Sequence, residues 1–369
     1  MMTRISISLC LLLLAACQGS DTGVEQGPGG STGENGGIAA GPPLPEPVDE
    51  DGVPRTSNAD RIAFTGARVV TLAPAGVLES TTVVVERGRI AAILPDAQFT
   101  AMTGTEIIDA AGRWLLPGLV DSHAHMVTNG EDDLMLYLAA GVTAVRVMWG
   151  NEVYLEWRDQ IAAGARTGPH LYVASPGVDG ANAFWPGSIV VTDELEARTA
   201  VDELAERGFD AIKVYNSLSA SAYVAIANEA ESLGIPFVGH VPFAVGAETA
   251  LSDGRIRSIE HFSRFASEVT TGNSWGTPLD EDKADALAEQ LFLAGTWNVP
   301  TLVVQLRTAN EVPALEAHPL MDWISPGMQA FLRDASTQPP AAGSASDPAS
   351  RFALVKRFHE RGVRLAVGT

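Results

Sequence analysis

Along residues 59–114 apolar positions come in short runs: Ile62 to Leu72, Ser80 to Val85, Ile90 to Leu94 and Ile107 to Asp109. Gly-containing turns such as Glu86-Arg87-Gly88-Arg89 separate them. Runs of this length, rich in β-branched residues, predict the antiparallel strands of a small sheet. From Leu115 the rhythm changes. Short apolar runs now alternate with amphipathic stretches, a pattern that predicts strands linked by helical crossovers. Strands are expected at Leu119–His123, Thr143–Val147, Leu171–Ala174, Ala211–Tyr215, Phe237–His240, Arg257–His261, Pro300–Val304 and Arg364–Val367. Helices are expected over Asp193–Arg207, Ser219–Leu233 and Asp280–Ala294. Gly141, Gly208, Gly234, Gly295 and Gly362 close such stretches, where a left-handed cap favours glycine. Eight strands with helical crossovers is the count of an α/β fold of the (β/α)8 barrel type. A doubly wound sheet competes, but no Gly-x-Gly-x-x-Gly follows an early strand. Arg307 to Ser350 is too long for a plain βα loop. Its Trp323, Met328, Phe331 and Leu332 predict a helical insertion over the barrel mouth.

Residues 1–58 follow neither rhythm. Arg4, the apolar run Ile5 to Leu14 and the small pair Ala15-Ala16 read as a secretory signal over residues 1–16. The run is shorter than the ~20 residues a spanning helix needs. Cys17 follows at once, in Leu14-Ala15-Ala16-Cys17, a segment that resembles the lipobox of bacterial lipoproteins. There the cysteine is acylated and becomes the N-terminus. The plainer alternative is a cleaved signal followed by a chance cysteine. Acylation of Cys17 would anchor the chain to the bacterial cell envelope without a spanning helix. Gln18 stands where lipoproteins of the inner membrane typically carry Asp, which points toward the outer membrane. Residues 18–58 hold 10 Gly, 6 Pro, seven acidic residues and one Arg, and read as a flexible tether. Four segments result: 1–16, 17–58, a small β domain over 59–114, and a barrel over 115–369.

Composition narrows the function classes. The 369 residues are 46% hydrophobic and 19% charged, which suits a globular chain. The net charge of −21 argues against nucleic-acid partners, whose phosphates need Lys and Arg. Cys10 and Cys17 are the only cysteines, so a disulfide scaffold, a cysteine zinc site and a cysteine nucleophile are excluded. No Gly-x-Ser-x-Gly elbow supports serine catalysis.

The remaining candidates are histidines and one lysine. His123 and His125 lie two apart at the end of an apolar strand, so both point the same way. That end is where barrel enzymes place their sites, and paired imidazoles suit a divalent metal. In Asp210-Ala211-Ile212-Lys213-Val214-Tyr215, alternation turns Ala211, Lys213 and Tyr215 toward the interior. A buried lysine is rare unless paired. It is either half of a structural ion pair or an amine that has captured carbon dioxide, forming a carbamate able to bridge two metals. His240 and His261 each end a further strand, 21 residues apart, about one strand–helix unit. Tyr215, one strand step beyond Lys213, is a candidate substrate contact. Arg146, Trp149, Asn151 and Asn182 to Trp185 follow the second and third strands and carry no spacing signal. His170, His318 and His359 are set aside as structural or solvated.

With these motifs assembled, the chain resembles the amidohydrolase superfamily, in particular its imidazolonepropionase-like and dipeptidase-like members. The resemblance covers about Arg61 to Thr369. It rests on His123-Ala124-His125, Ile212-Lys213-Val214-Tyr215, Gly239-His240-Val241 and Ile259-Glu260-His261. It implies a distorted (β/α)8 barrel with a small β-sandwich built from both chain ends. It further implies two divalent ions, usually zinc, one held by His123 and His125 and the other by His240 and His261. Carboxylated Lys213 and a hydroxide would bridge them. The implied reaction is hydrolysis of a C–N bond in a small amide, cyclic amide or dipeptide. The family's eighth strand ends in Gly-Thr-Asp, whereas this chain reads Val367-Gly368-Thr369. The expectation is therefore a C-terminally truncated fragment, without the aspartate that takes the proton and inactive as it stands. The alternative from another class is an envelope lipoprotein that binds a metal or small ligand without turnover. The oligomeric state is left open.

Overall fold

The structure, a computed structural model, describes residues 60–127, 133–304, 324–327, 329–330 and 348–369. The signal segment, Cys17, the tether, His318 and the insertion residues Trp323, Met328, Phe331 and Leu332 lie outside them. Two compact units divide between Leu115 and Leu116.

The first unit holds β1 (Arg61–Val70), β2 (Val77–Glu86), β3 (Arg89–Pro95), β4 (Thr105–Asp109) and β5 (Trp114–Leu115), in sheet order β3-β2-β1-β4 with β5 beside β1. Arg87 and Gly88 both take positive φ, the two-residue turn whose twist matches a hairpin. β1, β2 and β3 pair antiparallel, but β4 and β5 run parallel to β1. This corrects the expectation of an all-antiparallel sheet. After β3 the chain does not turn back in a hairpin. It crosses to the far side of β1 through the single 3-10 turn Asp96–Gln98, and a crossover delivers a parallel strand. Asp96 anchors that crossover by accepting from the Gly66 N–H and the Thr82 hydroxyl.

The second unit contains β6 (Leu119–Ala124), β7 (Val142–Val147), β8 (His170–Val173), β9 (Val178–Asp179), β10 (Ile189–Val190), β11 (Ile212–Val214), β12 (Phe237–Gly239), β13 (Ile256–Glu260) and β14 (Trp297–Val299). Every pairing among them is parallel. They form two ribbons, β6-β7-β8 and β10-β9-β11-β12-β13-β14. An isolated parallel bridge from Ala174 to Ala211 links them on one side. On the other side, residues 364–369 lie between β14 and β6. Leu365 bridges Asn298, the Ser122 N–H donates to Val367, and the Thr369 N–H donates to His123. Backbone hydrogen bonds thus run round a ring of eight members.

The seventh strand sits earlier than expected. Trp297–Val299 pairs with Ser258–Glu260, and Pro300 follows it. Proline has no N–H to continue a ladder, so the expected strand Pro300–Val304 is corrected to Trp297–Val299. Helix boundaries follow the capping residues. Asp193, Ser219 and Asp280 accept backbone N–H groups at the starts of Glu194–Glu206, Ala220–Leu233 and Glu281–Ala294. Gly234 and Gly295 end the last two with φ of 69° and 65°. Ile212 and Val214 join the core shared with these helices, while Ala211, Met148, Ala174 and Val238 form a separate inner cluster. Alternation along the strands thus separates an outer core from the barrel interior.

Candidate metal centre

Each of the five expected ligand residues stands at or just beyond the C-terminal end of a barrel strand. His123 lies in β6 and His125 just past it, while Lys213 lies in β11. His240 follows β12 and His261 follows β13. Their rings form a continuous chain. His123 is 5.3 Å from His125 and 4.6 Å from His261, and His261 is 5.2 Å from His240, centroid to centroid. His123, His240 and Lys213 are buried, while His125 keeps contact with solvent at the rim. Tyr215 stacks on His240 at 4.1 Å, and its hydroxyl accepts from Trp185 Nε1 at 2.7 Å. Lys213 Nζ lies 5.3 Å from the centroid of the Trp149 ring.

Hydrogen bonds orient three of the imidazoles. His123 Nδ1 meets Glu260 Oε2 at 2.7 Å; a carboxylate only accepts, so Nδ1 carries the proton. His240 Nδ1 meets Asn216 Oδ1 at 3.0 Å, again an acceptor. His261 Nδ1 meets the Thr301 hydroxyl at 2.6 Å. With Nδ1 engaged, each ring is left with Nε2. The Nε2 atoms of His123 and His240 are buried and have no hydrogen-bond partner. An orphaned buried acceptor costs about 1–3 kcal/mol unless something occupies it. Imidazoles that donate from one nitrogen and offer the other are the arrangement metal-ligating histidines adopt. The donor set therefore fits divalent cations. As they stand the imidazoles lie side by side. Among the described residues, no group of three or more His, Cys, Asp or Glu side chains gathers around a single point.

Burial lowers the pKa of each of these groups. Burial, reinforced by neighbouring His261 and Lys213, drives the His123 and His240 imidazoles well below their ordinary range. Surrounding protein and the Lys213 charge do the same to His125. Burial takes His261 down to about 4, against the opposing pull of Glu260. Burial pushes the Lys213 amine down to about 7, with Glu260 again opposing. Metal ligation needs free lone pairs at neutral pH, and these shifts supply them.

Two acidic residues went unassigned in the sequence. Glu260 is fully buried and accepts from His123, from Arg146 Nη2 at 2.8 Å and from the Ser258 hydroxyl. Asp121 is buried beside His123 and accepts from its N–H and from the Thr369 hydroxyl at 2.6 Å. Burial raises the Asp121 carboxyl above the usual range. Its signal was present, since Asp121, His123 and His125 alternate on one face. Asn151, considered for the pocket, instead caps the helix Glu152–Ala162. His170 opens β8 and packs edge-on to Tyr172, and His359 is exposed.

No family model matches the chain. Over 76 residues it is 41% identical to imidazolonepropionase of Acidiphilium cryptum strain JF-5, which is 20% of this chain and 19% of that enzyme. The match thus spans about a fifth of the length of such curated relatives. Among solved structures, bottromycin amidohydrolase superposes with a TM-score of 0.57 at 28% identity, over 89% of this chain and 72% of that one. A putative prolidase from Bifidobacterium longum gives 0.59 at 22% identity, over 84% and 74%. At that lower identity the likeness concerns the fold.

Proposed function

We infer that the chain is a member of the amidohydrolase superfamily, and on that premise that it hydrolyses C–N bonds in small amides, cyclic amides or dipeptides, using two divalent ions, zinc first among them. The observation that carries this reading is the pair of orphaned Nε2 atoms on His123 and His240, each on a ring whose Nδ1 is already engaged. His123 and His125 would hold one ion, and His240 and His261 the other. Bound cations supply Lewis acidity to a scissile carbonyl and acidify water.

The chain's own groups do the rest. Glu260 holds the proton on His123 Nδ1, and Asn216 holds it on His240 Nδ1. Lys213, with its pKa lowered to about 7, is a free amine in about half of the molecules at neutral pH. Its amine can add to carbon dioxide, forming an N–C bond and releasing a proton to solvent. The resulting carbamate would offer two oxygens as further ligands for the ions. Tyr215, stacked on His240, borders the space in which substrate would lie. The proposal extends to Cys17, whose acylation would anchor the enzyme in the bacterial envelope.

Elemental analysis of the metal-replete protein tests the centre. About two divalent ions per chain are expected, and fewer than one overturns the reading. Lys213→Ala should lose most of the metal; retention of both ions would reduce Lys213 to an ion-pair residue. Release of amine from dipeptides, N-acyl amino acids and cyclic amides tests catalysis in a chain that carries the aspartate expected after Thr369, and a metal-loaded form of that chain that cleaves none of them is not a hydrolase of this class. Mass spectrometry of the N-terminal peptide tests the anchor, and an unmodified Cys17 thiol refutes it.

A further inference from the structure

A cavity of about 560 Å3 adjoins the histidine cluster, a mid-range volume for a small-molecule site. Phe184, Leu218 and Phe243 supply its apolar walls, and Asn182, Asn216 and Ser217 its polar ones. The chain carries 45 acidic and 24 basic residues, yet among the described residues no charged side chain lines this space. Asn216 is the wall shared with the centre, since its Oδ1 meets His240 Nδ1 at 3.0 Å.

The walls come from three separate loops, and hydrogen bonds tie them together. Asp179, fully buried at the end of β9, accepts from the Gly180 N–H at 2.9 Å, the Phe184 N–H at 3.2 Å and the Ser217 N–H at 2.6 Å. One carboxylate thus holds the loop after β9 and the loop after β11 at once. The Ser217 hydroxyl donates to the Asn182 carbonyl, and the Phe243 N–H donates to the Asn216 carbonyl. The first two loops approach so closely that a Cβ at Gly180 would collide with the Ser217 carbonyl oxygen. On this fixed frame Phe184 and Phe243 stand 64% and 62% exposed. Large apolar rings grouped in water at a preformed cavity mark a ligand-binding surface. The polar groups of the walls are largely spent on one another, and a charge brought here would lose its water without gaining a partner. The fitting occupant is therefore uncharged and apolar.

We propose that this cavity takes an extended, uncharged apolar arm of the substrate, against Phe184, Leu218 and Phe243, and that Asp179 is the positioning residue that keeps it preformed. The proposal rests on the C–N hydrolase reading of the neighbouring centre and narrows its substrates. At the ~30 Å3 that a water-sized group occupies, the space admits on the order of 15 non-hydrogen atoms, more than one amino-acid side chain supplies. The substrates are thus amides bearing a long acyl or arylalkyl arm, rather than small polar dipeptides.

Calorimetric titration of the metal-replete full chain with 1-butanol, 1-hexanol and 1-octanol tests it. These probes have neither charge nor C–N bond, so apolar binding is read without turnover. One site per chain is expected, with affinity rising about five- to fifteenfold for every two added carbons. Phe184→Ser combined with Phe243→Ser, both at exposed positions, should flatten that rise to about twofold or less. Asp179→Asn replaces an acceptor-only group with one whose NH2 must face a backbone N–H. It should lose about half of the rise in logarithmic terms while metal content stays the same, a split that general destabilisation would not produce. Failure to bind 1-octanol, affinity independent of chain length, or a rise that survives the double serine variant overturns the proposal. An unchanged rise in Asp179→Asn removes Asp179 from it; if that variant does not fold, the double variant decides alone. A chain that binds long alkanols through Phe184 and Phe243 but, with its aspartate restored, cleaves no amide fails the hydrolase reading and leaves this cavity standing.

Discussion

Glu260 ties three strands together through its two oxygens. One accepts from His123 of β6, the other from Arg146 of β7, and its own backbone belongs to β13. Glu260→Gln keeps the shape but cannot serve both partners as an acceptor-only group. We expect metal affinity to fall about 10- to 100-fold, the usual effect of losing such an outer partner. Leaving the buried arrangement half-paired should also cost on the order of 3 kcal/mol in stability. Metal titration and urea unfolding check the two effects separately, and unchanged values in both would remove Glu260 from the site. The sequence displays Glu260 inside the Ile259-Glu260-His261 motif, yet strict alternation gives adjacent residues opposite faces. Ser258 and Glu260 point inward as alternation requires. His261 then turns inward as well because its φ is 57°, outside the strand region. Asn298 Nδ2 donates to the His261 carbonyl at 2.9 Å and helps hold that turn. A backbone flip of this kind has no residue-level signature, which is why the histidine was legible and its carboxylate neighbour was not.

At the scale of elements, the legible parts are those that local chemistry dictates. Asp193, Ser219 and Asp280 mark helix starts to the residue, and Gly234 and Gly295 mark the ends. The small sheet's parallel β4 depends on a crossover path, which no local pattern encodes. Close approach between strands is equally invisible in sequence, and Gly239 shows it. A Cβ there would lie 2.3 Å from the Val214 carbonyl oxygen, and φ is 129°. The obstacle is the backbone of β11, which cannot swing aside as a side chain would. Gly239→Ala should therefore cost on the order of 3 kcal/mol or more and shift His240. Gly234→Ala meets open space and bears only its left-handed φ of 69°, a cost of about 1 kcal/mol. Thermal unfolding of the two variants checks the order, and equal losses would mean that the strand contact is soft.

For the molecule as a whole, the buried basic groups set how stability depends on pH. A folded-state pKa below the unfolded value means that the unfolded chain binds more protons. Stability then rises with pH across the gap between the two values. For His261 the gap runs from about 4 up to 6.5, and for Lys213 from about 7 up to 10.5. His123, His125 and His240 act in the same sense as His261. The metal-free protein should become steadily harder to unfold from about pH 5 to about pH 9. Urea midpoints measured in chelator check this, and midpoints that stay level or decline with pH contradict it. The ring of strands has a different kind of consequence, one of timing. Its first and last members meet through Asp121 and Thr369, 248 positions apart. Contacts of such long sequence separation form late and slow folding. Until residues 364–369 leave the ribosome, the first barrel strand has one edge without a neighbour. A pause in translation anywhere along that span leaves this edge open to the strands of other nascent chains.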